Sequence, residues 1–167
     1  FIYPNSPSLL TLAKSPDVSA DVGSLTVFAY LYDQFSNPIT GAEINWDILS
    51  GTATISSTST TVNGTAGAIL FSKQAGEIRV EARYKYSPFS TIICKILPGS
   101  TTSIVLTVSP NNGVAGGNFT FFVVSQDSFT NETPDYAGTL SLSGDSEITT
   151  QTPFLGSKTL FFRLEQA

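Results

Sequence analysis

Few residues in this chain of 167 residues can carry out acid–base or nucleophilic chemistry. The chain contains no histidine and a single cysteine, Cys94. Mechanisms that need Ser/His/Asp or Cys/His arrangements, and metal sites built on histidine, are therefore excluded. A glycosidase needs paired carboxylates, but Asp17, Asp21, Asp33 and Asp47 fall on predicted loops and outer strand faces, where solvation explains them better. We therefore predict no catalytic residue, no cofactor and no enzymatic activity.

Two turns that each contain an aspartate are the remaining candidates for a ligand-binding site. The segments Asp33–Asn37 and Asp127–Asn131 each place Asn four residues after Asp. Calcium usually takes about 6–8 oxygen ligands, including several carboxylates. Each segment offers one firm carboxylate, although Glu132 and Asp135 could add to the second. Because Asp and Asn also form Asx-type turns with their own backbone, we interpret both segments as turns and predict no metal site.

Strands must position these turns, because apolar and polar residues alternate along most of the chain. Alternation is clearest in the segment 22–32 and in the segment 77–86. Turn residues separate about seven such strands in the first 97 residues, and this spacing is typical of a Greek-key β-sandwich. The other predicted strands of this part lie at 10–14, 43–49, 66–73 and 90–97, with weak edge strands between 52 and 62.

The same pattern occurs twice, at an offset of 94 residues, as from Ser15 to Ser109. This period suits a whole β-sandwich of about 100 residues better than a solenoid repeat. We therefore expect an all-β fold with two domains, 1–97 and 98–167. The matching pairs are Ser15-Pro16 and Ser109-Pro110, Gly23 and Gly117, Thr26 and Thr120, and the two Asp–Asn turns.

The second copy is expected to be C-terminally incomplete. Its predicted strands lie at 104–109, 119–126, 139–143 and 158–165, and the last of these corresponds to the segment 66–73. Counterparts of the last two strands of the first copy are absent from the sequence. Truncation, cleavage into two polypeptides, or strand donation by a neighbouring chain would each account for this difference.

Composition points to a secreted β protein. Charged residues make up 13% of the chain, about half the usual ~25%, and Ser, Thr and Asn replace them. The net charge of −5 and the absence of a basic run argue against nucleic acid as a partner. No apolar run approaches the ~20 residues that a membrane-spanning helix needs, so membrane insertion is not expected. The chain starts at Phe1 and contains no Met, so we expect a processed product or a fragment.

Cysteine and asparagine provide the remaining modification sites. Cys94 alternates with Ile92 and Ile96, so we interpret it as a small buried hydrophobe, with an intermolecular disulfide as the alternative. Three Asn-x-Thr sequons offer glycosylation sites if the chain passes through a glycosylating secretory route. They begin at Asn63, Asn118 and Asn131.

One strand face is a candidate contact surface. If Leu25, Val27, Ala29 and Leu31 point inward, the alternate residues of the same strand point outward. Together with Ile69 and Phe71, or with Leu70, of a neighbouring strand they would form an exposed apolar stripe, which often marks a contact site. The candidate contact residues are Phe28, Tyr30, Tyr32 and Phe71. The alternative is that the alternation is inverted, or that another domain or a glycan covers the stripe.

A recurring pattern of strand, Asp, aromatic residue and Asn, followed by glycine-led strands, runs through the segment 20–84 and returns in the second copy. Its residues are Leu25-Thr26-Val27, Asp33, Phe35, Asn37-Pro38, Gly41, Ile44, Trp46, Gly67, Gly76, Val80 and Ala82, and in the second copy Gly117, Phe119-Thr120-Phe121, Asp127, Phe129, Asn131 and Gly138. With this pattern the segment 20–84 resembles the bacterial Ig-like domains of the invasin and intimin group. The second copy is similar to the same group and to filamin-type Ig-like repeats, but it has Glu132 in place of Pro38 and no Trp. The resemblance implies tandem immunoglobulin-like β-sandwiches, a core position for Trp46, and a surface stalk or adhesin module without catalysis.

We therefore expect a non-enzymatic stalk, filament or adhesin segment of an extracellular or cell-surface protein. The expected partners are other protein chains or neighbouring Ig-like repeats, with glycans as a further class. One alternative is an accessory module of a secreted polysaccharide-active enzyme. Another is a filament subunit that is completed by strand donation from another chain.

Overall fold

The computed structural model describes residues 6–112, 117–142 and 150–163, and within them the chain is all-β. These residues contain no helix with the length and hydrophobicity that crossing a membrane requires. The chain divides into two compact units, Phe1–Leu97 and Pro98–Ala167. Each unit is described separately below.

The first unit consists of two sheets. A four-stranded sheet has the order β1-β3-β7-β5, and a five-stranded sheet has the order β2-β9-β8-β4-β6. All neighbours are antiparallel except β2 and β9, which run parallel. The strands are β1 (Pro7–Lys14), β2 (Val18–Ser19), β3 (Ser24–Asp33), β4 (Glu43–Ser50), β5 (Thr54–Ile55), β6 (Thr58–Thr60), β7 (Thr65–Phe71), β8 (Gly76–Arg83) and β9 (Phe89–Leu97).

Alternating apolar side chains build the core between these sheets. Burial along β3 follows strict alternation, so Leu25, Val27, Ala29 and Leu31 are buried as predicted. Trp46 lies in the same core, and its Nε1 donates a hydrogen bond of 2.7 Å to Ser59 Oγ. This bond satisfies the one polar group of a large buried ring. The inward parity and the core position of Trp46 are therefore confirmed.

Several features of the first unit differ from the sequence-based expectation. Strand β1 begins at Pro7 rather than Leu10, and β8 ends at Arg83 rather than Tyr86. The strand predicted from Val22 begins at Ser24, because Gly23 adopts a φ of +73° and its N–H donates to Ser19 O at 2.9 Å, closing a turn. Strand β2 was not predicted, because its two residues are too few to show any alternation.

The second unit forms one five-stranded sheet with the order β10-β11-β14-β13-β12. Strand β13 was not predicted. The predicted ends of two other strands, position 143 and positions 164–165, lie outside the described residues, as does the sequence after them. Among the described residues, no strand follows β14. The strands are β10 (Thr101–Ser109), β11 (Asn118–Asp127), β12 (Ala137–Leu142), β13 (Thr150–Leu155) and β14 (Ser157–Arg163).

The pairing of β11 in the second unit follows that of β3 in the first. Strand β10 lies antiparallel to β11 as β1 does to β3, and β14 lies antiparallel to β11 as β7 does to β3. The N–H of Leu31 donates to Gly64 O at 2.8 Å, and the N–H of Ser125 donates to Gly156 O at the same distance. The 94-residue offset therefore relates equivalent backbone positions in β3 and β11.

Candidate contact surface and the two Asp turns

The turn after β3 is organised by the buried carboxylate of Asp33. Its Oδ1 accepts hydrogen bonds of 2.9 Å from the N–H groups of Phe35 and Asn37. Its Oδ2 accepts a third, also of 2.9 Å, from Asn37 Nδ2. Ser36 takes a φ of +65°, which lets the chain reverse. These are the hydrogen bonds of the Asx-type turn that the sequence predicts.

The turn after β11 repeats this geometry atom for atom. Asp127 Oδ1 accepts from the N–H of Phe129 at 2.8 Å and of Asn131 at 2.9 Å, and Oδ2 accepts from Asn131 Nδ2 at 2.8 Å. Oδ2 also accepts from the N–H of Gly99 at 2.8 Å. Four N–H donors therefore surround one buried carboxylate.

The electrostatics of Asp127 follow from these contacts. Burial acts to raise its pKa, but the side-chain hydrogen bond from Asn131 and the backbone N–H groups of Gly99, Phe129 and Asn131 outweigh it and hold the pKa below its usual value. Among the residues that the structure describes, no three acidic or cysteine side chains cluster closely enough to hold a metal ion. The carboxylate oxygens of both turns are used as acceptors for N–H groups.

The outer face of the four-stranded sheet brings the predicted contact residues onto one surface. Phe28, Tyr30 and Tyr32 are half-buried and point away from the core. In the pairing with β7, Tyr30 lies opposite Thr65, whereas Phe71 lies opposite Ser24. Six residues of an extended strand separate these two positions, roughly 20 Å. The surface is therefore a long stripe rather than a compact patch.

Ile69 and Leu9 also belong to this stripe, and of these two only Leu9 was not predicted. Ile69 has 60% of its surface exposed and lies between the Tyr30 and Phe71 positions along β7, while Phe71 has 45% exposed. Leu9 of β1 lies opposite Tyr32 and is also exposed. Leu9 could have been found from the alternation in β1, had that strand been predicted to begin before Leu10. We call the stripe formed by Leu9, Phe28, Tyr30, Tyr32, Ile69 and Phe71 the aromatic face.

The outer face of the other sheet has a different chemistry. Its strands β4, β8 and β9 carry most of the charges of the first unit, whereas the aromatic face carries none. Glu81 and Arg83 form an ion pair on that sheet, and the Arg83 guanidinium lies 5.7 Å from the Phe89 ring centre. The charged residues of these strands are Glu43, Asp47, Glu77, Arg79, Glu81, Arg83 and Lys95.

The modification sites differ in accessibility. Cys94 is buried in the core, and burial raises the pKa of its thiol. Asn63 and Asn118 are exposed. Asn131 is buried, and its Nδ2, the atom a glycan would occupy, donates to Asp127. The geometry therefore favours Asn63 and Asn118 over Asn131 as glycan acceptors.

The two packed sheets of the first unit form a β-sandwich of the immunoglobulin-like class. The sequence profile of the bacterial Ig-like domain (group 1) matches residues 8–91. The chain therefore belongs to the family of bacterial Ig-like domains. No curated protein sequence matches the chain.

Solved structures of bacterial adhesins share the fold. FdeC, an Escherichia coli adhesin, has a TM-score of 0.58 at 17% identity, over 97% of this chain and 62% of FdeC. Invasin, a bacterial integrin-binding protein, has a TM-score of 0.56 at 17% identity, over 93% of this chain and 39% of invasin. InvD of Yersinia pseudotuberculosis has a TM-score of 0.52 at 19% identity, over 99% of this chain and 54% of InvD. This chain thus spans only part of the length of each.

Proposed function

We propose that the chain is a structural and adhesive segment of an extracellular, cell-surface protein, and that it acts without catalysis. Support comes from the family and from the fold shared with adhesins such as FdeC and invasin. We extend the proposal to tandem Ig-like domains, 1–97 and 98–167, because the two Asp turns have the same hydrogen bonds. In this role each turn would fix the path of the chain after β3 or β11, and the outer faces of the sheets would contact partners.

The aromatic face is the observation that carries the adhesive part of the proposal. It presents Ile69 and Phe71 to solvent with no charged side chain among its residues. Burying these apolar side chains releases water, and the charge beside them, the Lys73 ammonium 5.6 Å from the Phe71 ring centre, is already hydrogen-bonded to the carbonyl groups of Ala20 and Asp21. Aromatic side chains are also enriched at protein interfaces. The partner we propose is another protein chain or a neighbouring Ig-like repeat, with a glycan as the further class.

A pair of matched isoleucines tests this proposal. Ile69 on the aromatic face and Ile93 on the charged face of the other sheet have 60% and 52% of their surfaces exposed. We expect Ile69→Ser combined with Phe71→Ser to abolish self-association in sedimentation experiments, or binding to protein-coated surfaces. Ile93→Ser should leave both unchanged.

A second variant and a glycan probe complete the experiment. Phe28→Ser with Tyr30→Thr should act like the Ile69 and Phe71 pair, because all four side chains belong to the aromatic face. Unchanged association in both folded double variants would reject the contact surface. Pull-down on a glycan array that is insensitive to these variants would instead favour a carbohydrate-directed role through another surface.

A further inference from the structure

The N-terminal segment of the first unit contributes strands to both sheets. Strand β1 pairs with β3 of the four-stranded sheet, and β2 pairs with β9 of the five-stranded sheet. Between them lies Ser15-Pro16, the pair that the 94-residue offset repeats as Ser109-Pro110. Proline has no N–H group, so the β1–β3 ladder cannot continue through Pro16. The Ser-Pro pair therefore stands where the chain leaves one sheet for the other.

We call residues 15–20 the crossover, and its first residue holds it to the four-stranded sheet. The N–H of Ser15 donates to Thr26 O at 2.9 Å, and Ser15 Oγ accepts the N–H of Thr26 at 3.0 Å. Both bonds join the crossover to β3. This end of the crossover therefore stays with the sheet to which β1 belongs.

The other end of the crossover is bonded to β9. Asp17 Oδ1 accepts the N–H of Lys95 at 3.1 Å, although these residues are 78 positions apart in the sequence. The N–H of Ala20 donates to Leu97 O at 2.8 Å, and β2 pairs parallel with the end of β9. We call these contacts between the crossover and β9 the junction. The junction joins the N-terminal segment directly to the last strand of the unit.

The junction lies on the shortest path between the two ends of the unit. Pro7, where β1 begins, is paired with Asp33 at the end of β3. Leu97, where β9 ends, is bonded to Ala20, just before β3 begins at Ser24. The ends of the unit are therefore separated by the length of β3, roughly 30 Å. Tension between them runs along β1 and the crossover and through the junction into β9.

An intact junction keeps most of the unit out of this path. The chain from Pro7 to Val18 reaches only about 40 Å when fully extended, little more than the length of β3. Residues enclosed between Asp17 and Lys95 can be drawn out only after the junction breaks. Because β2 and β9 run parallel and are pulled from opposite ends, the bonds of the junction are loaded together rather than one after another.

We propose that the junction is the element that resists tension along the chain, and that Asp17 is a positioning residue which fixes the crossover on β9. The proposal rests on the structural role proposed above, because a segment that links a surface to a partner is pulled along its length. It assigns a function to the repeated Ser-Pro pair, which directs the chain into the crossover.

The test stretches the first unit within the full chain. Handles attached at Ser6→Cys and Ser100→Cys apply a constant force that bypasses the second unit, while Cys94 stays in place because it is buried. We expect one abrupt opening that releases the chain enclosed between Asp17 and Lys95, 78 positions apart, which is about 270 Å when fully extended.

Matched variants separate the junction from general stability. Asp17 and Thr40 are both exposed, and each accepts one backbone N–H, from Lys95 at 3.1 Å and from Asn63 at 3.0 Å, respectively. Asp17→Ala should shorten the folded lifetime under force roughly fivefold, as expected for one lost hydrogen bond. Thr40→Ala should leave this lifetime unchanged, because its bond is still intact when the junction breaks.

A conservative variant isolates the bond to β9. Asp17→Asn keeps an acceptor oxygen for the N–H of Lys95 but loses the ion pair with Lys14. It should restore most of the lifetime that Asp17→Ala loses. Urea unfolding without force should show similar losses for Asp17→Ala and Thr40→Ala.

Three results would each overturn the proposal: opening in a series of short steps, a lifetime that Asp17→Ala leaves unchanged, or an equal effect of Thr40→Ala under force. Self-association of the Ile69 and Phe71 variants is measured without force. A failure of the junction and a failure of the aromatic face are therefore seen in different experiments.

Discussion

The turns at Asp33 and Asp127 share three equivalent hydrogen bonds, but the side chains packed beneath them differ. Beneath the first turn lie Leu31, which is buried, and Ile39, which packs against the same apolar core. The equivalent residues beneath the second turn are Ser125 and Thr133, both buried. The same turn therefore forms above either an apolar or a polar interior, because its hydrogen bonds are local.

Hydrogen bonds replace apolar packing in the second unit. Thr101 Oγ1 donates to Thr133 Oγ1 at 2.8 Å, Thr133 Oγ1 donates to Ser125 Oγ at 2.9 Å, and Ser125 Oγ donates to Gly156 O at 2.8 Å. This chain of donors and acceptors satisfies hydroxyl groups that burial would otherwise leave unpaired. Beneath the Asp127 turn, the strands of the second unit are therefore held together by side-chain hydrogen bonds.

The largest effect is expected from exchanging these interiors. Leu31→Ser removes a fully buried aliphatic side chain and should cost the first unit about 3 kcal/mol or more. Ser125→Ala removes one hydrogen-bonded hydroxyl and should cost the second unit only about 1 kcal/mol. Urea unfolding followed by Trp46 fluorescence reports the first unit, and amide exchange of Val123 reports the second. Equal losses would contradict the contrast between the interiors.

The next largest loss of stability is expected from substitution of Gly64 or Gly156, whose carbonyl groups accept the N–H groups of Leu31 and Ser125, respectively. Gly64 and Gly156 have φ of +77° and +63°, and a Cβ would lie 2.7 Å from Pro38 Cβ and 2.5 Å from Pro134 Cα, respectively. Gly41 has a φ of +80° but open space around it. Gly41→Ala should therefore cost about 1 kcal/mol from backbone strain alone.

With the clash added, Gly64→Ala and Gly156→Ala should each cost about 3 kcal/mol. Thermal unfolding of the three variants measures the difference. A Gly41→Ala loss as large as that of Gly64→Ala would mean that strain, rather than close approach of the backbone, requires these glycines.

Removal of either turn carboxylate should have a similar but smaller effect in both units. Asp33→Ala and Asp127→Ala each leave several N–H groups without their acceptor, and each should cost about 2 kcal/mol. Residue-resolved hydrogen exchange should detect faster opening around Phe35 in one variant and around Phe129 in the other. Faster exchange spread evenly over both units would show that the turns do not act locally.

The smallest effect is expected from pH. Because the folded-state pKa of Asp127 lies below its usual value, its charge stabilises the second unit above the ordinary Asp pKa of about 3.9. This stabilisation is lost as pH falls through the lower, folded-state pKa. The stability difference between the protein and its Asp127→Asn variant should therefore shrink below about pH 4. Urea unfolding at pH 7 and at pH 3 measures it, and a constant difference would contradict the assignment.

Strands with strong alternation were the predictable part of the fold. The pattern in β3 and β8 located both strands to within a few residues, because side chains of one strand face either core or solvent with a period of two. Strands β2 and β13 escaped prediction. The first has two residues, and the second, TQTPFL, has no clean alternation. Long-range pairing partners stabilise such segments, and they leave no local signal.

The candidate contact residues were also predictable only in part. Phe28, Tyr30, Tyr32 and Phe71 follow from the parity of two strands. Their separation along the stripe, and the contribution of Leu9, depend on strand register and therefore required the structure.

By itself, the sequence determined the all-β class, the inward parity of β3, the absence of histidine chemistry and the two Asx turns. These properties depend on side-chain type and on contacts within a few residues, so the local order of amino acids is sufficient. Only the tertiary structure decided which sheet face is uncharged, which strand face is covered and which hydroxyl groups meet beneath the second turn. Those properties depend on pairing between distant segments, and the free energy that selects a pairing is distributed over the whole core.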